Sequence, residues 1–169
     1  MIEVRHISKS FNGVKVLHDI SATFDAGKTN LIIGQSGSGK TVLMKSIIGI
    51  HRVDEGDILY GNSNFTSMNS KEVTNLRKEI GMLFQGSALF DSMTVEENVR
   101  FPLEMFSNKP KGEWKERVDF CLNRVGLSHA AKLYPAEISG GMQKRAAIAR
   151  AIVLQPTYLF CDEPNSGLD

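Results

Sequence analysis

The run Gly34-Gln35-Ser36-Gly37-Ser38-Gly39-Lys40-Thr41 constrains this chain more than any other stretch. The apolar Leu31-Ile32-Ile33 precedes it and Val42-Leu43-Met44 follows, so it reads as strand, glycine-rich loop and helix. In that setting the spacing G-x-x-x-x-G-K-[ST] marks a phosphate-binding loop. Its glycines reach positive φ and let bare backbone amides converge on an anion. The helix that follows adds the partial positive charge of its N-terminus. Lys40 is then the cation for β and γ phosphates, and Thr41 offers a hydroxyl to Mg²⁺. The competing reading is a glycine-rich turn with an incidental lysine.

A chain of 169 residues can bury one core with an appended subdomain. A net charge of +1 gives bulk electrostatics no reason to favour nucleic acid as a partner. No apolar run approaches the roughly 20 residues that span a bilayer, and the N-terminus lacks a signal-peptide core, so a cytoplasmic location is expected. Cys121 and Cys161 lack metal-ligand spacing and sit in apolar surroundings, which predicts free, buried thiols.

Taken in order, the chain changes its periodicity several times. Ile2, Val4 and His6, and later Ile20, Ala22 and Phe24, alternate with polar residues on either side of an Asn12-Gly13 turn, predicting antiparallel strands. Residues 29–33, ending in the apolar Leu31-Ile32-Ile33, are expected to form a strand buried on both faces of a parallel sheet. A helix is expected from Gly39 to Ile48, a short strand over 57–61, and a helix capped by Ser70 running to Arg77. A buried strand follows from Ile80 to Phe84, ending at Gln85. Thr94 and Glu97 form a capping box for a helix that Pro102 should interrupt. Trp114, Val118, Cys121, Leu122 and Val125 place an apolar stripe on a second helix. A third starts at Ser139 and stops before Pro156, and residues 158–161 form a last buried strand.

Two further groups bear on chemistry. Asp162-Glu163 closes the strand over 158–161, at the edge where open parallel sheets bind ligands. With a phosphate loop upstream, Asp162 is placed to hold Mg²⁺ through water and Glu163 to polarise the attacking water. Ser139-Gly140-Gly141 opens a helix although two glycines there cost about 1 kcal/mol each relative to alanine. Either this is an ordinary cap with tolerated glycines, or it is a second anion site made of a hydroxyl and bare amides.

Residues 34–41, Gln85, Ile138-Ser139-Gly140-Gly141-Met142, the strand over 158–161 with Asp162-Glu163, and Ser166-Gly167-Leu168-Asp169 occur in a telling order. Over its whole length the chain resembles the ATP-binding subunits of ATP-binding cassette (ABC) transporters. The matching motifs are Walker A, the Q-loop, the signature, Walker B with its catalytic glutamate, and the D-loop. The resemblance implies an α/β fold: a P-loop, RecA-like core (28–53, 67–85 and 156–169), an N-terminal antiparallel β subdomain (1–27 and 54–66) and a helical insertion (86–155). It implies ATP and Mg²⁺ as ligands. Gln85 would contact Mg²⁺ and a transmembrane permease, and Phe11 would stack on adenine, a role competing with a place in the core. Two copies would sandwich ATP head to tail, Ser139 of one facing the phosphate held by Lys40 of the other, on the inner face of the cell membrane.

The sequence departs from the family in two respects. The signature ends in Met142 where glutamine is usual, and no histidine follows the D-loop to serve as the switch residue. The last core strands of the family's sheet are also missing, so the expectation is a C-terminally truncated sequence that alone binds ATP weakly and turns it over slowly. Residues 83–99, with Phe101-Pro102-Leu103 and Ser139-Gly140-Gly141-Met142, resemble the Mla, Mce-associated and toluene-tolerance branch, which moves phospholipid or other hydrophobic molecules. That implies an Mce-type substrate-binding partner, and a mobile loop over 86–90 suited to grip a permease. The alternatives are a transporter of another substrate, a non-transport ABC ATPase with a mechanical or regulatory role, and a P-loop kinase or GTPase.

Overall fold

A computed structural model describes residues 1–163. The chain divides into two compact units, Met1–Asn75 and a second from Leu76 onward.

The first unit is an antiparallel sheet with one helix. Strands β1 (Ile2–Phe11) and β2 (Val14–Phe24) meet at the Asn12-Gly13 turn, with φ of 49° and 80°. Both central residues are thus left-handed, as a two-residue hairpin of the right twist requires. With β3 (Glu55–Tyr60) and β4 (Ser63–Asn64) the strand order is β2-β1-β3-β4. Ile2, Val4, Ile7, Leu17 and Ile58 form the buried face. The alternation breaks at His6, which is exposed at φ 51° and pairs its Nδ1 with Asp19 Oδ1 at 2.8 Å. The ladder register shifts between Val4 and Ile7, and this bulge turns Ile7, rather than His6, inward. Helix α1 (Lys40–Ile47) buries Leu43, Met44, Ser46 and Ile47. Its last turn is tied to β3 by the Tyr60 hydroxyl, which donates to the Ile47 carbonyl at 3.0 Å.

Residues 29–33 do not form the expected strand. They run without a ladder partner among the described residues, and Leu31 and Ile33 are each 81% exposed. Apolarity makes a segment fit for a buried strand, but a strand also needs neighbours to satisfy its backbone groups. Helix α2 (Ser70–Lys78) starts one residue earlier than read from the sequence: Asn69, not Ser70, accepts the amides of Lys71 and Glu72, and Glu72 accepts the Asn69 amide at 2.8 Å.

The second unit packs three helices beside two parallel strands, β5 (Ile80–Leu83) and β6 (Tyr158–Cys161). Helix α3 (Val95–Phe106) begins with the reciprocal Thr94–Glu97 cap and passes through Pro102 unbroken. One missing N–H is tolerated there because Val99 and Leu103 on either side are fully packed in the core. Helix α4 (Lys111–Arg124) sets Val118, Cys121 and Leu122 against Val95, Val99 and the small face of α5 (Gly140–Ile152), where Ala146 and Ala149 are buried. Gly81 permits β5 to approach α5, since a Cβ there would collide with the Ala151 carbonyl and Pro156. Strand β6 is less buried than its composition suggests: Leu159 is half exposed, and Cys161 is exposed while Cys121 is buried. With one ladder partner among the described residues, β6 keeps an open side. No helix among the described residues is long and apolar enough to cross a membrane.

Candidate nucleotide site

The loop of residues 34–41 belongs to the first unit. Gly37 and Gly39 take φ of 78° and 92°, and a Cβ on Gly39 would press on Leu17 and the Val16 carbonyl. Glycine is therefore demanded twice, by conformation and by proximity. The loop closes with Ser38 N–H donating to Gln35 O at 3.2 Å, and Gly34 has room beside it only for Ser38 Oγ. Lys40 Nζ donates to the carbonyls of Gly34 and Gln35, both at 2.8 Å, so its ammonium lies back across the loop. No side chain caps α1 and no acidic residue stands in its first turn. A helix start without a protein anion of its own is chemically fit to receive phosphate. Ser36 lies within the turn that this Ser38–Gln35 bond closes and is exposed, and Thr41 is the second residue of the helix.

Phe11 ends β1 at the hairpin and is 37% exposed, which removes the core reading. Its ring meets His51 edge-on at 5.1 Å, and Lys9 Nζ lies 5.3 Å from its centroid. Lys9 also pairs with Asp54 at 2.7 Å; that bond, together with the Ser10 amide, holds the Asp54 carboxyl below the usual range.

The second unit brings Gln85 and Glu163 together. Gln85 follows β5 and Glu163 follows β6, and Gln85 Nε2 donates to Glu163 Oε2 at 2.7 Å. Two parallel strands ending level explain the meeting: Leu83 pairs with Cys161, and the Asp162 amide donates to the Leu83 carbonyl at 2.9 Å. Glu163 takes φ 48° and is exposed, whereas Asp162 is buried. Ser139 caps α5, accepting the Met142 amide at 3.3 Å. An added Cβ on Gly140 or Gly141 would meet nothing within 4 Å among the described residues. The D-loop residues Ser166 to Asp169 lie outside the described residues.

Two residues escaped the sequence reading. Asn98, on α3 and fully buried, accepts the Phe90 amide and donates to the carbonyls of Phe90, Met93 and Thr94. Arg150, on α5, donates to the carbonyls of Ser87 and Ala88, and burial draws its pKa downward. The loop over 86–93 is thus stapled from two helices, where the sequence suggested a loose one. Only the position of Asn98 just inside a capped helix, and an arginine flanked by Ala149 and Ala151 on α5, hinted at this.

Similarities to known proteins bear on the same residues. A family profile described as "ABC transporter" matches residues 17–166. The probable ribonucleotide transport ATP-binding protein mkl of Mycobacterium leprae is 42% identical over 99% of this chain and 48% of its own length. The methionine import ATP-binding protein MetN of Clostridioides difficile is 41% identical over 100% of this chain and 52% of its own. The chain therefore spans about half the length of the curated relatives it matches. Among solved structures, the dimeric post-hydrolysis state of the ATP-binding cassette MJ0796 bound to ADP and Pi superposes with a TM-score of 0.91 at 29% identity, over 100% of this chain and 76% of that one. The cbiO1 protein of Clostridium perfringens, part of the ABC transporter complex cbiONQ, gives 0.86 at 32% identity, over 99% and 67%.

Proposed function

Since the chain belongs to the ABC transporter family of ATP-hydrolysing domains, we propose that it is the ATPase domain of a transporter's nucleotide-binding subunit. One observation carries this reading: among the described residues Lys40 donates to the loop carbonyls of Gly34 and Gln35, in front of a helix start whose N-cap, Gly39, has no side chain to cap it. A triphosphate offers Lys40 an oppositely charged partner in place of two neutral carbonyls, and so adds attraction between full charges to the hydrogen bond.

In this reading Gly34, Gln35, Ser36, Gly37, Ser38, Gly39 and Lys40 hold the phosphates of ATP through backbone amides and the ammonium. The exposed face of Phe11 takes the adenine. Thr41, Asp162 and Gln85 hold Mg²⁺, which neutralises phosphate charge and fixes the line of attack. Among the described residues there is no cluster of three His, Cys, Asp or Glu, and Mg²⁺ needs none, since it usually keeps waters and substrate oxygens as ligands. Glu163 polarises the attacking water. Gln85, within hydrogen-bond reach of that carboxylate, orients it.

Ser139, Gly140 and Gly141 then serve a second copy of the domain. The open space around both glycines supports this, because an ordinary cap would accept alanine there. Residues 1–27 and 54–66 act as the β subdomain, 28–53, 67–85 and 156–169 as the nucleotide core, and 86–155 as the helical subdomain that meets a permease. The assembly sits on the cytoplasmic face of the membrane.

For the cargo we infer phospholipid or another hydrophobic molecule, with an Mce-type partner, on the strength of the sequence over 83–99. The names of the relatives, one for ribonucleotide transport and one for methionine import, favour a second reading, transport of a small polar solute. The full-length complex in liposomes discriminates. Phospholipid stimulating ATP hydrolysis, with Lys40→Ala inactive, supports the first reading. Stimulation by a nucleoside or methionine instead would replace it with the second, and equal hydrolysis by Lys40→Ala would remove both.

A further inference from the structure

The segment between β5 and α3 has an uncomfortable backbone. Gly86, Ser87 and Ala88 follow one another at φ of 77°, 66° and 48°. Glycine enters that region freely, but in Ser87 and Ala88 the Cβ crowds the following carbonyl. Such a run persists only where surrounding contacts over-determine it. One side chain supplies them: Arg150 Nη1 donates to Ala88 O at 2.8 Å and Nη2 to Ser87 O at 2.9 Å. A planar guanidinium can hold two oxygens at once in a fixed geometry, which a single ammonium cannot match. The same cation lies 5.9 Å from the Phe90 ring centroid. Gln85, the partner of Glu163, stands directly before this run. Arg150 lies about three turns beyond Ser139 on the same helix.

We propose that Arg150 is a positioning residue for ATP hydrolysis: by clamping the Ser87 and Ala88 carbonyls it sets the direction in which Gln85 meets Glu163, and it joins Gln85 to the helix that opens with Ser139. This rests on the ATPase reading above. Arg150 acts through the loop, so its loss leaves residues 34–41 unaltered and appears in turnover rather than in nucleotide affinity.

The test uses the full-length transporter complex with two separate variants. Arg150→Lys keeps the charge and loses the fork; Ser87→Pro keeps Arg150 but cannot adopt a positive φ. Each lowers kcat by about tenfold or more, with KM for ATP within about threefold of wild type. Adding Ser87→Gly and Ala88→Gly to Arg150→Lys restores at least about a third of kcat, because glycine holds the left-handed run unaided. A general loss of packing would not be repaired that way. Wild-type kcat in Arg150→Lys, a defect lying mainly in KM, or a glycine pair that restores nothing overturns the inference. Should Arg150→Lys fail to assemble, Ser87→Pro decides, and wild-type kcat there overturns it equally. A wild-type complex without ATPase activity overturns the proposed function and this inference with it, whereas active wild type beside an unimpaired Arg150→Lys overturns this inference alone.

Discussion

Replacing Asn98 tests how the loop beside Gln85 is held. The side chain is fully buried and uses its whole hydrogen-bonding capacity, accepting from Phe90 N–H at 2.8 Å and donating at 3.0–3.1 Å to the Phe90, Met93 and Thr94 carbonyls. In Asn98→Ala, the Phe90 carbonyl keeps the Met93 amide and the Thr94 carbonyl keeps the Asn98 amide. Among the described residues the Phe90 N–H and the Met93 carbonyl are left without a partner, and each unsatisfied group costs about 1–3 kcal/mol. The expected loss is therefore about 2–6 kcal/mol, a fall in Tm of roughly 4–24 °C for a domain of this size. Asn98→Asp sharpens the test. It preserves the bond from Phe90 N–H but turns a carboxylate towards three carbonyl oxygens, which raises its folded pKa above the unfolded value of about 3.9. The variant is then nearest to wild type at low pH and loses stability as pH rises from about 4 through the folded value. Thermal and urea melts across pH 4.5–8, with hydrogen exchange at Phe90, read both effects. A loss under about 1 kcal/mol in Asn98→Ala, or an Asn98→Asp penalty that does not grow with pH, would refute the reasoning.

Two other perturbations follow from packing and capping. Gly81→Ala drives a Cβ into the Ala151 carbonyl, which a strand and a helix cannot both relieve, and should cost about 1–3 kcal/mol in urea melts. Thr94→Ala removes a reciprocal cap worth about 1 kcal/mol. The Thr94 amide, foremost, and its hydroxyl hold the Glu97 carboxyl below its ordinary value of 4.5. That contribution is complete above pH 4.5 and fades as pH falls through the lower folded value. Alanine keeps the amide at position 94 and loses the hydroxyl, so only the hydroxyl's share of the gap between wild type and Thr94→Ala should narrow in acid, and the gap should stay constant above about pH 6.

Local signals in the sequence proved easiest to read. The Thr94–Glu97 cap needs four consecutive residues, the stripe from Trp114 to Val125 needs one helix face, and both stand as expected. The conformation of the glycine-rich loop over 34–41 was legible for the same reason: its glycines answer to their own φ and to the adjacent β2. What depended on neighbours was harder. Residues 29–33 are apolar enough for a buried strand, yet no ladder partner reaches them among the described residues. His6 kept the alternating pattern in sequence and lost it to a bulge whose cause lies in the paired strands. The Arg150 clamp joins residues 62 and 63 positions apart, beyond any periodicity. Gln85 was read from a family motif and Glu163 from its place at the end of a strand; their 2.7 Å bond exists only because β5 and β6 run parallel and in register.

Whether this domain spends ATP at the site described is decided most directly with Glu163→Gln in the full-length protein. Glutamine retains a hydrogen-bonding partner for Gln85 and leaves residues 34–41 intact, while removing the carboxylate proposed to polarise water. The account predicts an ATP dissociation constant within about threefold of wild type and single-turnover hydrolysis slower by about 10²–10⁴, the range for loss of a positioned general base. Hydrolysis by Glu163→Gln at the wild-type rate would contradict it.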